Sequence, residues 1–131
     1  MRTYFIVISI ILLLSILVLG CLSIFKDLSY TNVSVDEAKV MVDSGEYFLL
    51  DVRTQEEYDA GHITDAVLIP HDELQDRLDE LPTDLPILVY CRTARRSAIA
   101  GEILTDNGYL EVYNLAGGIV DWEKKGYPIE K

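Results

Sequence analysis

Apolar positions along the chain fall into two regimes. From Phe5 to Phe25 they run on almost without interruption, and the only polar residues are Ser9, Ser15 and Ser23. From Ser34 onward they come in short bursts that switch between helical and strand-like spacing. Ser34 with Glu37 forms a capping box, after which Val35, Ala38, Met41 and Val42 share one helical face until Gly45 ends it. Tyr47 to Val52 is a nearly continuous apolar run, as in a strand buried on both faces. Thr54 with Glu57 forms a second capping box and opens a helix that Gly61 stops. Ala66 to Ile69 is strand-like and closed by Pro70. Leu74, Leu78 and Leu81, spaced by four and three, predict a short amphipathic helix with Asp72, Glu73, Asp76, Asp79 and Glu80 on its solvated face. Pro82 and Pro86 bracket its exit. Ile87 to Tyr90 is the next strand, and Ile99, Ala100, Ile103 and Leu104 give another helical face. Val112 to Leu115 is the last strand, followed by a tight turn at Gly117 and Gly118 and a short helix whose Trp122 belongs in the core.

Strands alternating with helices require crossover connections, and hence a mainly parallel sheet between helices. Such sheets bind ligands beyond the carboxyl ends of their strands. The stretch from Cys91 to Ser97 follows one strand and precedes a helix, so it occupies that position.

With 131 residues the chain holds one domain and an appended segment. The boundaries predicted are a hydrophobic segment over 1–25, a short tether over 26–31 and the domain over 32–131. The uncharged run of 21 residues from Phe5 to Phe25 reaches about 31 Å as a helix, enough to cross a bilayer core of about 30 Å. Arg2 lies before it, and Lys26-Asp27 and an acidic domain follow, which favours a cytoplasmic N-terminus and a membrane-attached domain on the extracytoplasmic side. Two readings of the attachment remain open: an uncleaved transmembrane anchor, or a lipoprotein signal in which Val18-Leu19-Gly20-Cys21 resembles a lipobox and Cys21 is lipidated.

Charge sharpens the picture. The chain has 11 Lys+Arg against 22 Asp+Glu, a net charge of -11, which argues against nucleic acid and anionic lipid headgroups as main partners. Yet half of its arginines lie between Arg92 and Arg96, next to Cys91. A loop leading from a strand into a helix N-terminus aims backbone N–H groups and the helix dipole at its own centre, which makes an anion cradle. A cysteine at the mouth of such a cradle is favoured as the nucleophilic thiolate. Arginines beside it neutralise an anionic substrate approaching an anionic nucleophile. Arg92 and Arg96 are the expected anion contacts, with Arg95 at the rim. Thr93, Ala94 and Ser97 complete the loop. Asp51 and Arg53 are read as structural support for the loop and neighbouring strand ends, His62 as a turn histidine, and His71 as a residue of a helix start.

At these residues the chain resembles a single-domain rhodanese. The similarity spans about residues 30–129. It rests on Leu50-Asp51-Val52-Arg53-Thr54-Gln55-Glu56-Glu57-Tyr58, on Gly61-His62-Ile63 with Ala66, on the loop from Cys91 to Ser97, and on Leu115-Ala116-Gly117-Gly118-Ile119 leading to Trp122. The resemblance implies an α/β fold with a mainly parallel sheet of about five strands flanked by helices on both faces, preceded here by the hydrophobic N-terminal helix. It implies a sulfurtransferase in which Cys91 takes sulfane sulfur from thiosulfate or a persulfide donor and passes it to a thiol or cyanide-like acceptor. It implies no metal and no organic cofactor. Thr64 stands where the family usually has proline. Ala94 stands where glycine is common, which restricts the loop if that position needs positive φ.

Two other classes use the same features. A cysteine-dependent phosphatase or arsenate reductase has a similar cradle, but phosphatases of that kind place the key arginine six residues after the cysteine. Here Ser97 is sixth and Arg96 fifth. A non-catalytic persulfide carrier or binding module is the third class, against which the retained cysteine argues.

Overall fold

The computed structural model describes residues 1, 4–11 and 28–131. Residues 4–11 are helical. Among the described residues no helix is long and apolar enough to cross a membrane. Most of the hydrophobic run, Cys21 with its lipidation reading, and Lys26-Asp27 lie outside the described residues.

The domain begins at β1 (Thr31–Val33), one residue inside the segment read as a tether. It continues through α1 (Val35–Ser44), β2 (Phe48–Asp51), α2 (Gln55–Ala60), β3 (His62–Ile63), β4 (Val67–Leu68), β5 (Ile87–Tyr90), α3 (Arg95–Asp106), β6 (Val112–Leu115), α4 (Gly118–Lys124) and β7 (Ile129–Glu130). Five strands form one sheet in the order β1-β6-β5-β2-β4, every neighbouring pair parallel. The short β3 and β7 pair antiparallel in a separate ribbon.

Both capping boxes form. The Ser34 and Thr54 hydroxyls each accept a hydrogen bond from a backbone N–H three residues on, and the Glu37 and Glu57 carboxylates reach back to the cap residue. Gly45 ends α1 in the left-handed region at φ 68°.

Alternation along the strands sorts the core into two layers. Leu49, Leu88, Tyr90 and Leu115 pack on one face of the sheet against Ala38 and Met41 of α1 and Ile119 and Trp122 of α4. Leu50, Ile87, Val89 and Val112 pack on the other face against Ala100 and Leu104 of α3 and the buried Leu74 and Leu81. Helices therefore flank both faces.

The segment from Leu74 to Leu81 corrects the expected amphipathic helix. It forms two 3₁₀ turns, Leu74–Asp76 and Leu78–Glu80, broken at Arg77, whose φ is -122° and ψ 19°. Its leucines still point into the core. The bend sets Arg77 between Glu73 and Glu80, at 2.7 and 2.6 Å, an arrangement that suits a tight, highly charged connection between two prolines.

Candidate functional site

Strand β5 delivers Cys91 to the carboxyl edge of the sheet. Ile87, Val89 and Cys91 share the face that packs on α3, and Cys91 is 1% exposed. It is a free thiol. The chain then turns and enters α3 at Arg95, with Ala94 at the cap position making no side-chain cap and no acidic residue in the first turn. The leading N–H groups of α3 are therefore left without a side-chain acceptor, and the helix dipole adds to their positive character.

Ala94 has φ -174°, ordinary extended backbone, so alanine in place of glycine costs the loop nothing through a left-handed conformation. Thr64 sits in a turn closed by the Ala66 N–H donating to the Ile63 carbonyl at 3.0 Å, with Asp65 at φ 65°. Asp is among the residues that tolerate that region.

Ser97 is completely buried, and its hydroxyl donates to the Ala94 carbonyl at 3.0 Å. The Cys91 thiol in turn donates to Ser97 Oγ at 3.3 Å. From the other side of the sheet α4 closes the loop. The Ile119 N–H donates to the Cys91 carbonyl at 2.9 Å and the Val120 N–H to the Arg92 carbonyl at 3.2 Å. Gly118 permits this approach: its φ is 60°, and a Cβ there would meet the Arg92 carbonyl oxygen, lying 2.6 Å from the Arg92 carbonyl carbon and 2.7 Å from the Thr93 nitrogen.

The three arginines part company. Arg92 and Arg95 are exposed, as is Thr93, and among the described residues neither arginine forms an ion pair. Arg96 is committed elsewhere. Its Nη1 donates to Glu57 Oε2 at 2.6 Å and its Nη2 to Oε1 at 2.8 Å. The Arg96 guanidinium holds the Glu57 carboxyl down to about 2, against partial burial that raises it, and the Thr54 backbone N–H adds to the lowering. The same pairing raises Arg96 above its ordinary value. Of the two arginines expected as anion contacts, Arg92 faces solvent together with Arg95, whereas Arg96 is held by Glu57.

Asp51 and Arg53 are 0% and 5% exposed and form a buried ion pair at 2.7 Å. Arg53 also donates to the Gly61 carbonyl at 2.8 Å and lies 5.6 Å from the Tyr90 ring centroid. Tyr90 Oη accepts from the Ile63 N–H at 3.1 Å, and burial pushes its phenol above the ordinary value. This network fastens β2, β5 and the turn after α2 on the face opposite Cys91. It joins neighbouring strand ends and, among the described residues, makes no direct hydrogen bond to the Cys91 loop. His62 is satisfied locally: its ring stacks on Tyr58 and its Nδ1 faces the Tyr58 carbonyl at 3.0 Å. Trp122 is core, its Nε1 donating to the Pro128 carbonyl at 3.0 Å.

An open cleft of about 370 Å³ lies over the loop, lined by His71, Cys91, Arg92, Thr93, Arg95, Arg96 and Ile99. Reading the sequence missed two participants. Glu57 is explained locally by its cap, although uncompensated arginines at a helix N-terminus signal that some carboxylate must answer them. His71 has the sequence signal of a helix start, and only the sheet order brings it beside the loop.

The matches to known proteins agree on one family. The rhodanese-like domain profile matches residues 34–125. A "Sulfurtransferase" of Allochromatium vinosum is 38% identical over 89 residues, covering 68% of this chain and 83% of that protein. The "Thiosulfate sulfurtransferase GlpE" of Coxiella burnetii is 32% identical over 94 residues, covering 72% of this chain and 88% of its own. The crystal structure of a rhodanese-related protein from Thermoplasma volcanium superposes with TM-score 0.70 at 33% identity, over 77% of this chain and 98% of that one. Three other relatives are longer, and the chain spans 61%, 40% and 53% of them.

Proposed function

The chain belongs to the rhodanese-like domain family, and from that membership and the geometry of the Cys91 loop we propose that it is a sulfurtransferase working through a persulfide on Cys91. The observation that carries this reading is the placement of Cys91: a free thiol at the carboxyl edge of the sheet, hydrogen-bonded to Ser97 and opening on a cleft that also presents Arg92 and Arg95. The Cys91 thiolate attacks the sulfane sulfur of thiosulfate or of a persulfide donor. The donor's S–S bond breaks, sulfite or a thiolate leaves with the electron pair, and Cys91 keeps the sulfane sulfur. The first-turn N–H groups of α3 stabilise the negative charge on the persulfide, while Arg92 and Arg95 draw in the donor anion.

A phosphatase is the less favoured reading. The last arginine of the loop is bound by both its terminal nitrogens to Glu57, and a phosphoryl-transfer cradle needs such a fork aimed at the transferring oxygens. Turnover of thiosulfate with cyanide, compared with turnover of an aryl phosphate by the same preparation, separates the two. Sulfur transfer predicts activity with the first substrate pair and none with the second.

We also propose that the hydrophobic run from Phe5 to Phe25 attaches the domain to the outer face of a membrane, as an anchor or through lipid on Cys21. Its uncharged composition and the acidic chain after it support this. Because β1 and β5 are both parallel to β6, the chain enters the domain at the end of the sheet opposite Cys91. The reactive cleft then points away from the attachment. Protease added to intact cells degrades an outward-facing domain; full protection contradicts the placement.

A further inference from the structure

We infer that His71 is the proton relay for a thiol acceptor, a role that rests on the sulfur-transfer reading of Cys91. The sheet brings the two residues side by side. The Val52 N–H donates to the Tyr90 carbonyl at 3.1 Å, and the His71 N–H donates to the Val52 carbonyl at 3.1 Å. His71 therefore stands across β2 from Cys91, roughly 10 Å away at the backbone, which is two strand spacings. Both residues line the same cleft. Among the described residues the thiol is hydrogen-bonded to Ser97 and not to His71, and the cleft that both line is open to a small acceptor.

The chemistry of the cleft makes a base necessary. Its other side chains are Cys91, three arginines, Thr93 and Ile99, and guanidinium groups do not release protons in proteins. Among the described residues no carboxylate lines the cleft, and Glu57, which meets its Arg96, is engaged by that arginine. Among the residues lining the cleft His71 alone carries an imidazole, the side chain most often used for general acid–base work. A thiol acceptor arrives with a proton that must leave its sulfur as that sulfur bonds to the sulfane sulfur. The His71 ring takes this proton and returns it to the departing product persulfide, while the electron pair of the broken bond stays on Cys91 as thiolate. One thiol and one Cys91 persulfide anion become one protonated persulfide and one Cys91 thiolate, so atoms and charge balance. Sulfite brings no proton to this step and needs no relay.

The test uses the full chain, loaded with thiosulfate and checked by intact mass for one added sulfur atom. Discharge of the loaded chain by 2-mercaptoethanol and by sulfite is then timed at mildly alkaline pH. In His71→Gln the ratio of thiol to sulfite discharge rates is expected to fall about 10- to 100-fold, within or just below the usual range for a lost acid–base group. His71→Ala is expected to show the same fall, and added imidazole to restore part of it. A ratio within about threefold of wild type in both variants overturns the assignment, whether the two rates fall together or neither falls. Failure of the wild type to gain sulfur overturns the transfer reading itself, and this inference with it.

Discussion

Glu57 holds Arg96 with both carboxylate oxygens, at 2.6 and 2.8 Å, across 39 positions of sequence. The same carboxylate accepts the Thr54 backbone N–H at 3.0 Å and so caps α2. One side chain thereby ties the helix before β3 to the first turn of the helix that carries the reactive loop. The Arg96 contact keeps the folded carboxyl at about 2, whereas an unfolded chain protonates it near the ordinary glutamate value of about 4.3. Below that value unfolding takes up a proton, so this part of the stability is complete above the unfolded value and is lost as pH falls toward about 2. Chemical denaturation across this window is expected to show a shallower loss of stability in Glu57→Gln than in wild type. Equal slopes contradict the coupling.

The arginines are expected to divide by function. Arg92→Ala should weaken donor use about 10- to 100-fold, on the scale of one charge-assisted contact of about 1.5 to 3 kcal/mol. Arg92→Lys should recover part of this, since a point charge lacks the planar fork. Arg96→Ala should instead lower the unfolding midpoint, with a smaller effect on the KM for thiosulfate. Steady-state kinetics and denaturation of both variants check the division, and a larger KM effect at Arg96 than at Arg92 contradicts it.

Gly118→Ala is expected to disable the loop. The new Cβ falls against the Arg92 carbonyl group, and the backbone stays at φ 60°. Strain of that kind costs about 1 to 3 kcal/mol before the overlap is counted. Stability should drop by at least about 2 kcal/mol and sulfurtransferase turnover should fall with it. Wild-type values in both measurements would show that α4 does not set the loop.

Asp51→Asn is expected to cost about 3 to 5 kcal/mol, because it leaves the Arg53 charge buried beside Tyr90 without its counter-ion. Denaturant unfolding reads this directly. A loss below about 1 kcal/mol would mean that water reaches Arg53.

What the sequence disclosed follows from the range of each interaction. The capping boxes at Ser34 and Thr54 and the apolar runs of β2, β5 and β6 are local signals, and all form. Strands β1, β3 and β7 have three, two and two residues, too few to show a period, and they exist because a neighbour supplies the ladder. The spacing of Leu74, Leu78 and Leu81 conveyed burial correctly, but burial is met equally by two 3₁₀ turns in so short a connection. Cys91, Ser97 and the arginines were legible as a loop between strand and helix. The partners that define their roles, Glu57 and His71, are brought in by sheet order and by contacts tens of residues apart, which no local pattern encodes.

The central claim is that Cys91 carries sulfur, and mass measurement of the intact chain after exposure to thiosulfate tests it most directly. A gain of one sulfur atom is predicted, removed again by cyanide and absent in Cys91→Ser, whose oxygen cannot hold a sulfane sulfur in this way. No gain in the wild type, or the same gain in Cys91→Ser, contradicts the account.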